Sequence, residues 1–180
     1  MSTLTAVKWG LDTTHSEITF KVKHLVISTV TGKFNRFDAT MESDNDNFDG
    51  ADIRFEADID SVDTNNEDRD NHLKSDDFFN ASEYPKLTFE SRSFRKFGEN
   101  EFKLIGDLTI RDKTKTVELD AVYGGTVVDP YGQTKVGFEV SGDINRKEFG
   151  LKWNAVTEAG NIVVSDHVKL MMSVQFVKDE

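Results

Sequence analysis

The feature that most constrains this chain is a strict alternation of apolar and polar residues that returns in run after run. Side chains switch faces at every residue of a β-strand, whereas a helical face repeats every 3.6 residues. In residues 14–24, Ile18, Phe20 and Val22 share one face, and Glu17, Thr19, Lys21 and Lys23 share the other. The same parity unites Ile53, Phe55, Ala57 and Ile59; Leu87 and Phe89; Phe102, Leu104, Leu108 and Ile110; and Val117, Leu119 and Ala121. It continues through Val136, Phe138, Val140 and Ile144, and through Val168, Leu170, Met172, Val174 and Phe176. One apolar face per run is the mark of antiparallel strands packed on one side. Residues 32–41 form a further run in which Phe34 and Phe37 break parity, which predicts a bulge between them. The sum is about eight strands, with residues 9–12 as a short extra piece.

Strand length decides between a sandwich and a barrel. Several runs last about ten residues, or roughly 33 Å of extended chain. The chain has only 2 prolines, so edges would be long and unprotected unless the sheet closes. The predicted fold is therefore all-β: an elongated eight-stranded antiparallel, lipocalin-like barrel with short helical inserts, one domain over residues 1–180. An eight-stranded barrel has room for its own side chains or for one ligand. Residues 25–31 are predicted as a helical turn. Residues 67–79 are predicted as a helix capped by Asn65 or Asn66, with Glu67 and Asp68 in the first turn. Turns are predicted at residues 98–100, 124–125 and 129–132.

Composition then excludes function classes. A net charge of −11, from 22 basic and 33 acidic residues, repels phosphate backbones and anionic membranes, so no nucleic-acid partner is expected. The absence of cysteine removes disulfides, thiolate catalysis and Cys-ligated zinc. The first ten residues lack a basic-then-apolar leader, and no run reaches the roughly 20 apolar residues of a spanning helix. A cytoplasmic protein without stable membrane insertion is expected, or a periplasmic one if the sequence is a trimmed mature form. The acidic run of residues 42–47 is read as a solvated loop, because the glycine and closing glutamate of a calcium loop are misplaced.

The candidates for chemistry are sparse. His15, His24, His72 and His167 show no HExxH or similar spacing. Ser16, His72 and Asp70 could be combined on paper, but no GxSxG elbow is present. No catalytic residue, metal or cofactor is therefore expected. Two alternatives stay open: a metal- or acid–base-dependent enzyme built on Asp70 and His72, and a stress-associated interaction module whose barrel is only a scaffold. Arg69, Asp70 and Arg146 are read as charges that pair or cap backbone groups where inserts dock.

Parity also selects candidate ligand contacts. Phe20, Val22, Phe34, Ile53, Phe55, Phe89, Leu104, Phe138, Val140 and Met172 fall on inward faces. His24 shares the parity of Phe20 and Val22 and could hydrogen-bond a polar head group. Phe78, Phe79 and Phe149 come from inserts and are expected to close a tunnel mouth. A Phe-rich interior (14 residues) suits either a packed core or a lipid pocket.

The punctuation between strands carries a resemblance. Trp9-Gly10-Leu11-Asp12-Thr13-Thr14-His15-Ser16 is followed by Phe20-Lys21-Val22-Lys23-His24-Leu25 and Gly32-Lys33-Phe34. Then come Arg69-Asp70-Asn71-His72-Leu73-Lys74-Ser75-Asp76-Asp77-Phe78-Phe79, Tyr84-Pro85 and Phe89-Glu90-Ser91. Gly106-Asp107-Leu108-Thr109-Ile110-Arg111 and Asn145-Arg146-Lys147-Glu148-Phe149-Gly150 complete the series. In this order they resemble the YceI-like family of lipocalin-like, polyisoprenoid-binding proteins. The resemblance implies a buried channel for a polyisoprenoid, a prenyl quinone or a similar amphiphile, and a homodimer. Asp112-Lys113 depart from the family, which usually has Gly and a β-branched residue there. A carrier or storage protein for a long apolar or amphiphilic ligand is the function expected.

Overall fold

The computed structural model describes residues 6–25, 27–45, 47–154 and 164–179. The alternating runs become β1 (Val7–Leu11), β2 (Glu17–His24), β3 (Ser28–Phe34), β4 (Phe37–Ser43), β5 (Asp52–Asp58) and β6 (Val62–Asp63). They continue as β7 (Lys86–Lys96), β8 (Glu101–Ile110), β9 (Lys113–Val128), β10 (Thr134–Asn145) and β11 (Val164–Lys178). Every pairing is antiparallel.

These strands make a closed barrel of eight staves. Three staves are broken. β1 and β2 form one, interrupted by a helical turn at Thr13–His15; β3 and β4 form the next, interrupted at Asn35 and Arg36; β5 and β6 form the third, interrupted at Ile59–Ser61. Pairing proves the continuity, since β3 lies on β2 while β4 lies on β1 and β5. β11 closes the ring. It pairs with β10 on one side and with both β2 and β1 on the other.

The seam at Asp12 shows how a broken stave is held. Asp12 Oδ1 accepts from Thr14 N (3.2 Å) and Thr14 Oγ1 (2.7 Å). Its Oδ2 lies 2.8 Å from His15 Nδ1 and accepts from Lys135 Nζ of β10 at 3.1 Å. Ser16 Oγ donates to Asp12 O (2.7 Å) and accepts from Gln175 N of β11 (3.0 Å). Burial pushes the Asp12 carboxyl up, but the bonds from Thr14, His15 and Lys135 outweigh it and hold it far below the usual carboxylate range.

Two expected turns are corrected. The helical turn expected at residues 25–31 is not found among the described residues there: Ser28 to Thr31 already belong to β3, with Val30 opposite Val22, and Leu25 takes φ 55°. The β-branched Thr29, Val30 and Thr31 suit a pleated strand. Gly124 and Gly125 are not a turn either. They lie inside β9, where the register with β10 shifts and Gly125 takes φ 126°, which is a bulge. The turn at residues 129–132 is present, with Gly132 N donating to Asp129 O (3.0 Å). The predicted helix is α1 (Glu67–Lys74), shorter than expected, and Asn66 caps it by accepting from Arg69 N at 3.0 Å. No helix among the described residues is long and apolar enough to cross a membrane.

Candidate functional site

The inward parity of the staves encloses a cavity in two adjoining chambers. The inner one, about 140 Å³, lies between β4, β5, β7 to β11, the start of β2 and the end of β3. Its walls include Ile18, Met41, Ile53, Phe55, Phe89, Leu104, Leu119, Phe138, Val140 and Met172. The outer one, about 200 Å³, lies beneath α1. Phe20, Phe34, Leu87, Ile110, Ile144 and Leu170 wall both, so they form the waist of a single tunnel. Two glycines shape it: a Cβ on Gly32 would collide with the Phe20 ring, and one on Gly106 with the Phe89 ring.

Aromatic packing closes the inner end. Phe94 and Phe102 stack at 4.5 Å, and Phe138 meets both edge-on at 5.7 and 6.0 Å. Phe48, from the loop between β4 and β5, sits edge-on against Phe138 (5.6 Å) and Trp9 (5.4 Å). It is only 3% exposed and takes φ 65°, an uncommon backbone for a bulky residue. The favourable edge-to-face contacts offset that cost.

The outer end is built by polar anchors. Arg146, 3% exposed, donates through Nε to Ser165 O (2.8 Å), through Nη1 to Leu151 O (2.6 Å) and Trp153 O (2.8 Å), and through Nη2 to Val164 O (3.3 Å). Burial pushes this guanidinium down from its ordinary value, and the Asp166 charge opposes that. Arg111 Nη1 reaches Asp76 O (3.2 Å), Phe78 O (3.1 Å) and Gly150 O (3.4 Å). Arg69 donates to Thr64 Oγ1 (2.8 Å) and Thr64 O (2.5 Å), while Asp70 Oδ1 accepts from Thr64 N at 2.8 Å. Backbone capping is thus the structural role of Arg69, Asp70 and Arg146.

All the candidate contacts chosen by parity line one chamber or the other, and so does Phe78. His24 lines the outer chamber with Val22. Phe79 joins them there, but Phe149 does not. Its ring is fully buried in the core, because the short turn Arg146–Phe149 ends on Gly150 in the left-handed region (φ 82°) and delivers the ring inward instead of to the mouth. The inner wall also contains Phe94, which parity counted from Phe89 excludes. The β7 register shifts between Ser91 and Ser93 and reverses the faces.

Asp70 and His72 are not brought together. His72 Nε2 lies 2.8 Å from Asp77 Oδ2, and its ring meets Phe78 (5.1 Å) and Trp153 (4.7 Å) edge-on. Ser16 is on the barrel seam. His15 is paired with Asp12, and His167 is exposed on β11. Among the described residues, no group of three or more His, Cys, Asp or Glu could hold a metal.

The model of the YceI-like domain matches residues 9–176. A UPF0312 protein of Staphylococcus epidermidis is 38% identical over 96% of this chain and 98% of its own length. The crystal structure of a Campylobacter jejuni YceI protein superposes with a TM-score of 0.75 at 34% identity, over 88% of this chain and 90% of that one. A polyisoprenoid-binding domain from Saccharophagus degradans superposes at 0.70 over 95% and 98%, and at 14% identity that likeness concerns the fold alone.

Proposed function

This chain belongs to the YceI-like family, and from that premise we propose that it holds a long apolar or amphiphilic ligand inside the barrel, as a carrier or storage protein. The ligand class is a polyisoprenoid, a prenyl quinone or a fatty-chain lipid. The observation that carries the proposal is the tunnel itself: the barrel core is not filled, and its inner chamber is walled by aliphatic and aromatic side chains. The polyisoprenoid-binding domain of S. degradans shares this architecture, which supports the reading.

The energetics suit such a role. Apolar burial contributes about 25 cal/mol per Å², so a tail losing roughly 300 Å² would gain about 7 kcal/mol before ordering costs. The contacts proposed are Phe20, Val22, His24, Phe34, Ile53, Phe55, Phe78, Phe89, Leu104, Phe138, Val140 and Met172. No catalytic step is part of the proposal. The homodimer implied by family resemblance is, and sedimentation equilibrium tests it. Native mass spectrometry of the purified protein, followed by solvent extraction, tests the binding role. A near-stoichiometric long-chain adduct is expected. A bare chain that also takes up no added isoprenoid or fatty-chain lipid would overturn it.

A further inference from the structure

We infer that one outer face of the barrel, where β2, β3 and β11 run to the outer end, is a docking surface for an anionic lipid bilayer. The surface lies outside the tunnel, so it stands whether or not the interior holds a ligand.

The first argument is an unrelieved cluster of like charge. Outward parity places Lys21 and Lys23 on β2, Lys33 on β3 and Lys169 on β11, and all four are exposed. The register sets Lys21 directly against Lys169, with Lys33 against Thr19 on the next outward rung. Lys23 reaches the rim of the outer chamber. Among the described residues, Lys21, Lys23 and Lys169 form no ion pair. Like charges directly opposite on neighbouring strands cost stability. Lysine often guards an open sheet edge. Lys21 and Lys169 have paired strands on both sides, so they guard no edge. Lipid phosphates would relieve the repulsion between them.

The second argument is the placement of the acids. The chain carries a net charge of −11. Yet the carboxylates border this face rather than divide it. Asp143 stands opposite Lys169 from β10, Asp63 stands opposite Lys33 from β6, and Glu17 lies at the far end of β2. Exposed charges act over about 8 Å at physiological salt. A bilayer in contact with this face meets the lysines first, and the repulsion expected from net charge does not extend to it.

The third argument is apolar. Ile27, in the connection between β2 and β3, is 88% exposed, and Met171, outward on β11 opposite Thr19, is 39% exposed. Apolar side chains among lysines suit a lipid interface, where the former enter the acyl boundary and the latter meet phosphates. A nucleic-acid backbone supplies the phosphates but no acyl layer for Ile27.

Co-sedimentation with vesicles of phosphatidylcholine, alone or with about 30% phosphatidylglycerol, tests the surface. Wild type should partition onto the mixed vesicles at least about tenfold more strongly than onto phosphatidylcholine alone. Lys21→Glu/Lys169→Glu should remove most of that excess. Lys96→Glu/Lys178→Glu makes the same charge change at the inner end of the barrel and should keep it. Equal loss in both variants would reduce the effect to net charge and overturn the surface. Equal partition of wild type onto both vesicles overturns it too, as does binding to a DNA duplex as tight as to the mixed vesicles. A second readout needs no loss of binding. The chain has no cysteine, so Ile27→Cys carries a single nitrobenzoxadiazole label. Its emission should shift to the blue on the mixed vesicles, and the same label on Lys178→Cys should not shift. No shift at either position, or the same shift at both, overturns the proposal.

Discussion

Asp12 and Arg146 are the residues on which the ends of the staves depend most. Asp12 ties β1, β2 and β10 together through a carboxylate held below its usual range. A carboxyl depressed in the folded state stabilises fully above its unfolded value, about 3.9, and that contribution is lost as pH falls towards the folded value. Wild-type protein should therefore lose thermal stability below about pH 4 more steeply than Asp12→Asn. At neutral pH that variant should be weaker by about 1–2 kcal/mol, because the site is partly screened by water. Parallel slopes in calorimetry would contradict this. Arg146→Ala should cost about 3 kcal/mol or more, since it strands the buried carbonyl of Leu151 and removes the guanidinium bond to Trp153 O. Urea unfolding reads that loss directly.

At the scale of the element, alternation is a strong signal because each strand has a wet and a dry face. That made the staves legible, and with them the inward side chains from Phe20 to Met172. What stayed illegible has local causes. The positive φ at Leu25 and the bulge at Gly125 are matters of backbone angle that parity does not encode. The β7 bulge hides Phe94, whose ring completes the floor. Phe149 was misplaced because a glycine cap, not periodicity, aims it. The outer chamber was missed as a unit because its walls come from β2, β3, α1 and the turn after β10, and only closure gathers them. Gly106→Val is informative here. The added methyls would overlap the Phe89 ring, so a loss of about 1–3 kcal/mol in thermal unfolding is expected.

The whole molecule is a barrel whose closure does two things. It removes the open edges that long strands would otherwise expose, and it leaves an apolar tunnel plugged at one end by Phe48, Phe94, Phe102 and Phe138. The proposed function stands on that interior rather than on any reactive side chain. The most direct measurement is a calorimetric titration of wild type and Val140→Trp with farnesol, because the indole would fill the inner chamber that Val140 lines without touching the mouth. Saturable binding to wild type, lost or weakened at least about tenfold in a variant that still folds, is the result predicted. Equal binding to both proteins would place the ligand outside the barrel and contradict the account.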